Sequence, residues 1–190
     1  MRKSTLKDTY SLFEKLAACG VSVAPFTTSL AGIATVGIPA KLVTRTTLSP
    51  YSATIARYGD IMPAIVRAVR SAKPFFLQRH VTGHELACGV VMDSRKIVPL
   101  VPVEIIPRIS HETHALHMSS SVLDAVATEA CRAHKALRIK GHSCVRMVVE
   151  KGVPYVVGVE ASPALVRTSC FMRSALLAGL TEEEIKEYTL

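Results

Sequence analysis

The sequence predicts an α+β protein with antiparallel sheets packed by helices, and three observations carry that prediction. Apolar residues recur at helical spacing in several separate stretches, while others alternate in the period-two manner of strands. The strand-like stretches come in adjacent pairs joined by short polar turns, as hairpins require. The order is helix, strand, hairpin, helix, hairpin, helix, hairpin and terminal helices, which suits antiparallel layers and not a doubly wound parallel sheet.

Taken in order, Leu6, Tyr10, Phe13, Leu16 and Ala17 form the apolar face of a first helix that Gly20 ends. Val21 to Phe26 alternates like a short strand. Gly37-Ile38-Pro39 introduces an apolar run over 41–44, with Ser52 to Arg57 as its hairpin partner. Asp60 can cap a helix reaching Arg70, with Pro63 tolerated in the first turn and Ile61, Ile65, Val66 and Val69 facing inward. Pro74-Phe75-Phe76-Leu77 starts a strand. Leu86 to Met92 and Ile97 to Ile106 read as two strands about a turn at Asp93-Ser94-Arg95. One of Ser119, Ser120 or Ser121 caps a helix running to about Leu137. Ser143 to Val149 and Pro154 to Glu160 form a hairpin across Glu150-Lys151-Gly152. Two short helices close the chain, over 168–178 and 181–188, and the second opens on a Thr181/Glu184 capping box.

Composition narrows the function classes. Nearly half of the 190 residues are hydrophobic, yet no apolar run reaches the roughly 20 residues of a membrane-spanning helix. The formal charge of +8 favours anionic partners such as RNA or another polyanion, or an acidic neighbouring subunit. The basic residues are scattered, so a solvated basic surface explains them equally well. Five widely spaced cysteines without a CxxC pair indicate free thiols in a reducing compartment, cytoplasmic or an organellar matrix, and not a secreted disulfide scaffold. His111, His114 and His117 recur at spacing three, which drifts around a helix and is not the i, i+4 pair of a zinc protease. A polar surface loop is the reading preferred for them over a transition-metal site. Cys144 beside His142 has no third orienting group, so it reads as a core thiol.

Two stretches carry a family resemblance. Phe75-Phe76-Leu77-Gln78-Arg79-His80-Val81-Thr82-Gly83-His84-Glu85-Leu86 resembles the segment of D-alanine–D-alanine ligases, of the ATP-grasp superfamily, in which a strand ends in Glu-Lys-aromatic-aliphatic and continues through Gly-x-Glu. Gly141 to Glu150, then Gly152 through Val159-Glu160-Ala161-Ser162-Pro163, is similar to that family's Gly-x-x-Arg-aliphatic-Asp strand, turn and Glu-x-Asn strand. With the first helix, the Val-x-Val-x-Pro-Phe stretch and the ending, the resemblance covers nearly the whole chain. It implies an ATP-grasp fold of two lobes, residues 1–74 as the central lobe and 75–190 as the C-terminal lobe, lacking the family's N-terminal α/β domain.

The resemblance also assigns roles. Gln78, Arg79 and Val81 stand at the adenine-holding positions and Glu85 at the ribose-side glutamate. The metal-binding Asp, Glu and Asn are replaced by Arg146, Gly158 and Glu160, leaving Glu160 as the one metal candidate. The transition-state arginine is Cys144, and the phosphate-binding lysine aligns with Thr44, with Arg45 or Lys41 as its replacement after a slip in the alignment. The segment Thr46 to Ser52 has no glycine, and Pro50 removes a backbone donor from what would be the phosphate turn. Phosphoryl transfer is largely positioning plus charge neutralisation, and the residues for it are missing. No residue is therefore assigned a catalytic role. The expectation is a catalytically inactive, degenerate ligase-like subunit of a larger assembly with a protein partner. ATP and Mg²⁺ are expected only if the ancestral site is retained. The alternatives are an ATP-dependent carboxylate–amine ligase completed by a partner chain, and a nucleotide-binding regulatory module. An ion pair between Arg146 and Glu160 is expected in place of metal.

Overall fold

The computed structural model describes residues 9–29, 32–44, 52–70, 75–93, 96–106, 113–114 and 117–187. Leu6, Arg45, Pro74, His111 and segment 46–51 lie outside them. Two compact units emerge, one built from 1–15 and 23–81 and the other from 16–22 and 82–190.

The first unit is a four-stranded antiparallel sheet in the order β1-β4-β2-β3. Its strands are β1 (Phe26–Thr27), β2 (Ala40–Thr44), β3 (Ser52–Ile55) and β4 (Phe75–Arg79). The expected hairpin is present, with Ala40 opposite Ile55 and Leu42 opposite Ala53. Pairing of β4 with both β2 and β1 places residues 75–81 in this unit. Helices α1 (Thr9–Ala18), α2 (Ile33–Val36) and α3 (Ile61–Arg70) accompany the sheet. An aromatic group forms where Tyr10 and Phe13 of α1 meet Phe26 and Phe76, with ring centroids 5.5 to 6.3 Å apart in tilted or edge-on contact.

Two expectations about this unit fail. The stretch 21–26 forms no full strand, because its backbone bonds go elsewhere: the Val21 N–H donates to Leu16 O at 3.0 Å, and only Phe26–Thr27 joins the sheet. Helix α3 buries Ile61, Ile65 and Ala68, while Val66 and Val69 are 43% and 62% exposed. The buried set follows the 61-65-68 row, and one helix packed by one stripe leaves the adjacent row in water.

The second unit is a six-stranded antiparallel sheet, β10-β9-β5-β7-β8 with β6 also paired to β5. Its strands are β5 (His84–Asp93), β6 (Lys96–Pro99), β7 (Val103–Glu104), β8 (Thr113–His114), β9 (His142–Glu150) and β10 (Val153–Glu160). The sequence reads 97–106 as one strand, but the run breaks at Leu100–Pro102. There the Leu100 N–H bonds back to Gly89 O at 2.8 Å, and Pro102 has no donor for the ladder. The β9–β10 hairpin turns through Lys151 (φ 51°) and Gly152 (φ 82°), the left-handed pair a tight hairpin favours.

Helix α4 (Ser120–Leu137) packs on β5, β6, β9 and β10, and α5 (Cys170–Leu177) packs on β5, β7 and β9. The α5 side encloses Ala87, Val91, Leu100, Val103, Cys144, Phe171 and Met172, with Ile185 of α6 (Glu182–Glu187). The Thr181/Glu184 capping box forms as expected, the Thr181 N–H donating to Glu184 Oε2 at 2.7 Å. Buried carboxylate Glu129 of α4 accepts from the Ser22 N–H and from Arg132, both at 2.9 Å. Gly83 lies so close to the Val149 carbonyl that a Cβ would collide with backbone there.

Burial sets the acid–base character of the interior. His134 is fully buried, with Nδ1 2.8 Å from Ser143 Oγ, and burial holds its pKa below the ordinary imidazole value. Burial lowers His142 likewise, and burial together with Lys41 lowers His80. Cys88 is pushed up to about 12, by burial first and then by Cys131, against an opposing bond to the Leu100 carbonyl.

Four outcomes follow from these contacts. Phe76→Ala removes a fully buried ring and is expected to cost the first unit about 3–5 kcal/mol in urea unfolding; Gly83→Ala should cost about 1–3 kcal/mol in the second. The three histidines bind protons more readily unfolded. Their contribution is therefore complete above an unfolded pKa of about 6.5 and is lost as pH falls from there through the lower folded values. A melting temperature that stays flat from pH 7.5 to 5 would contradict this. In a thiol-reagent assay at pH 8, exposed Cys19 should react at once. Cys88, with a thiolate fraction of about 10⁻⁴ at that pH, should react only on unfolding.

Candidate functional site

In the first unit, β4 and the two residues after it carry Gln78, Arg79 and Val81, which the sequence resemblance sets at adenine. Gln78 lies between Lys41 on β2 and Phe26 on β1 in the register. It is 7% exposed, and its Nε2 has no hydrogen-bond partner among the described residues. A buried amide N–H left without an acceptor costs about 1–3 kcal/mol, so this atom is a ready donor for a ligand. The Arg79 N–H donates to Pro25 O at 2.8 Å, which fixes the end of the strand. Val81 is buried. Next to it the His80 Nδ1 also lacks a partner among the described residues, a second polar atom that the sequence did not single out.

In the second unit the β5–β9 register decides what Glu85 touches. Glu85 stands opposite Val148 and Ala87 opposite Arg146, so Glu85 and Arg146 are diagonal neighbours on one face. Arg146 Nη2 donates to Glu85 Oε1. On the other side of Arg146, Gly158 contributes no side chain, and a Cβ built there would meet nothing within 4 Å. Burial works against the Arg146 charge, but Glu85, with Cys170 and Glu160 as lesser contributors, outweighs it and raises the pKa above the usual arginine value.

The expected Arg146–Glu160 pair is therefore replaced by Arg146–Glu85. Glu160 sits at the exposed end of β10, opposite Cys144 and beyond a bulge between Val156 and Gly158; it reaches Arg146 through its field alone. The Arg146 side chain is 45% exposed, so the ion pair stabilises by at most about 1 kcal/mol. Its effect is chemical: the guanidinium takes up the carboxylate that the resemblance places beside ribose.

This arrangement does not fit Mg²⁺. That ion needs hard oxygen ligands, and among the described residues this face offers a guanidinium, a glycine, the exposed Glu160 carboxylate and the Glu85 carboxylate that the guanidinium already engages. Cys144 supplies no nucleophile either. It is buried, and its hydrogen bond with Cys170, followed by burial, pushes its pKa far above the ordinary thiol value. His142 instead lies against Phe171, with centroids 5.0 Å apart.

The sequence missed one constellation. His117 of the histidine-rich segment meets His84 and Glu104 from β5 and β7. Its signal was a glutamate inside the apolar run 97–106, where a charge is costly unless compensated.

No protein-family model matches the chain. It is similar to the D-alanine–D-alanine ligase of Leptospira interrogans, at 27% identity over 125 residues, which is 57% of this chain and 36% of that ligase. The chain spans less than half the length of the curated relatives it matches. The solved structure of the D-alanine–D-alanine ligase from Coxiella burnetii superposes with a TM-score of 0.81 at 16% identity, over 96% of this chain and 55% of that one. The Bacillus anthracis enzyme complexed with ATP gives a TM-score of 0.77 at 14% identity, over 96% and 64% respectively. These likenesses, with the antiparallel sheets and helices described above, establish an ATP-grasp, D-alanine–D-alanine ligase-like relationship carried by a partial ATP-grasp fold.

Proposed function

We propose that the chain is a degenerate ligase-like protein, catalytically inactive, that serves as a structural or binding subunit of a larger assembly. Its first unit takes the place of the ATP-grasp central lobe and its second that of the C-terminal lobe. The observation that carries this reading is the Arg146–Glu85 pair. A position that needs a metal-binding carboxylate holds a guanidinium, and the glutamate aligned with ribose neutralises it. Glu160 would have to hold Mg²⁺ in the field of the Arg146 guanidinium, which disfavours a second cation there.

The subunit role draws support from α3, where Met62, Val66 and Val69 are 55%, 43% and 62% exposed and lie on one side at spacings of four and three. Such a row suits a protein partner. The net charge of +8 suits an acidic partner or RNA. Free cysteines suit a reducing compartment, cytoplasmic or organellar. Among the described residues no helix is long and apolar enough to cross a membrane.

A second reading, nucleotide binding without turnover, is favoured by the buried and unpartnered Gln78 amide. ATP is the ligand of the Bacillus anthracis relative, and Gln78 with Val81 would hold its base here.

Purified protein with ATP, D-alanine and Mg²⁺ is expected to release neither ADP nor phosphate; robust Mg²⁺-dependent turnover overturns the inactive reading. Calorimetry separates the two readings. A nucleotide-binding module should take up ATP with the same affinity with and without Mg²⁺, and Gln78→Leu should weaken binding about tenfold, the equivalent of one lost hydrogen bond of about 1.4 kcal/mol. A purely structural subunit gives no heat in either case.

A further inference from the structure

The β5–β7 register brings a second group of side chains together on the face of β5 opposite Glu85. Leu86 stands opposite Glu104, so His84 and Glu104 are diagonal neighbours. His84 Nδ1 lies 2.8 Å from Glu104 Oε1, and His117 Nε2 lies 3.4 Å from Glu104 Oε2. The two imidazole centroids are 5.1 Å apart. One ligand atom from each residue falls within 4.8 Å of the other two. His117 comes from the segment entering α4, two residues before Ser119.

Burial makes this group unusual. Glu104 is 8% exposed, like Glu129. Glu129 is compensated by Arg132 and a backbone N–H, whereas among the described residues the groups that contact the Glu104 carboxylate are the two histidines. A carboxylate withdrawn from water needs compensating positive charge. A divalent ion held by the two rings and the carboxylate supplies that charge.

The dimensions suit such an ion. Bonds of about 2.0–2.2 Å in a tetrahedral site put neighbouring ligand atoms about 3.3 Å apart. The His117 Nε2–Glu104 Oε2 separation of 3.4 Å already meets this; His84 Nδ1, 2.8 Å from the other carboxylate oxygen, needs to move by about 0.5 Å, and the ligand atoms as a set, within 4.8 Å of one another, draw together on the ion. His84 and His117 are 54% and 52% exposed, which leaves an entry path and room for water as a further ligand. Two imidazoles and one carboxylate select a transition ion of the zinc class over Mg²⁺ or Ca²⁺, which prefer oxygen throughout.

We propose that His84, Glu104 and His117 form a binding site for a divalent transition-metal ion, which ties β5, β7 and the entry to α4 together. The site is separate from the residues aligned with nucleotide and stands whether or not nucleotide binds.

The test is calorimetric titration of the full chain, stripped with chelator, with ZnCl₂. One equivalent is expected to bind, unaffected by excess MgCl₂, and to raise the melting temperature. Glu104→Gln and His117→Asn should each weaken that equivalent by at least the roughly 10–100-fold that loss of even an outer-shell partner costs. Circular dichroism confirms that each variant is folded. His117→Asn changes a half-exposed side chain, so it keeps the test valid if Glu104→Gln fails to fold. Substitution with Co²⁺ should give visible bands without the intense near-ultraviolet thiolate absorption that a cysteine site produces. Zinc binding unchanged in the folded variants, thiolate bands, or no stoichiometric binding to the parent protein would each overturn the proposal. The last outcome would leave a hydrogen-bonded His–Glu–His group only.

Discussion

The antiparallel register between β5 and β9, running from His84 opposite Val149 to Val91 opposite His142, is the constraint on which the second unit depends. Because side chains alternate across a strand, one register assigns every residue of β5 to a face. Ala87, Gly89 and Val91 turn to the α5 side, where Gly89 lets Leu100, Phe171 and Ser174 close in on the strand. The same register places Glu85 beside Arg146 on that face and leaves His84 to meet Glu104 on the other. A slip of one residue would exchange the two faces and dissolve both groups.

On the proposed function, scaffold and chemistry have separated in this chain. The fold is kept, since it depends on residue size and polarity pattern, which many sequences satisfy. Metal-assisted phosphoryl transfer depends on particular charges at particular points. On the proposed reading Arg146 reverses one of those charges, and Glu85, its ion-pair partner, neutralises the result locally. The exchange costs the fold little because a half-exposed ion pair is weak in either arrangement. It alters the electrostatics of that face nonetheless, where a pair of carboxylates would attract a hard cation and a closed ion pair does not.

Legibility followed locality. The β9–β10 hairpin and the Thr181/Glu184 box are written in a few consecutive residues, so the sequence shows them directly; α4 likewise starts after Ser119, although that side chain bonds to Ser121 Oγ and makes no cap. The break inside 97–106 was signalled by Pro99 and Pro102, but apolar content outweighed the missing donors. At 21–26 alternation suggested a strand, and competition from helix-end and loop hydrogen bonds decided otherwise. Val66 and Val69 looked like core because periodicity marks an apolar row without saying whether another element covers it.

From sequence alone came the α+β class, the antiparallel hairpins, and the substitution of a cationic residue where the resemblance puts a metal-binding carboxylate. These depend on residue type and short-range spacing. Tertiary structure alone decided the partner of Arg146, which is Glu85, 61 residues away, instead of Glu160. It likewise decided that His117 joins His84 and Glu104. Strand register brings residues distant in the chain into contact, and register is fixed by the packing of whole faces, which no local window contains.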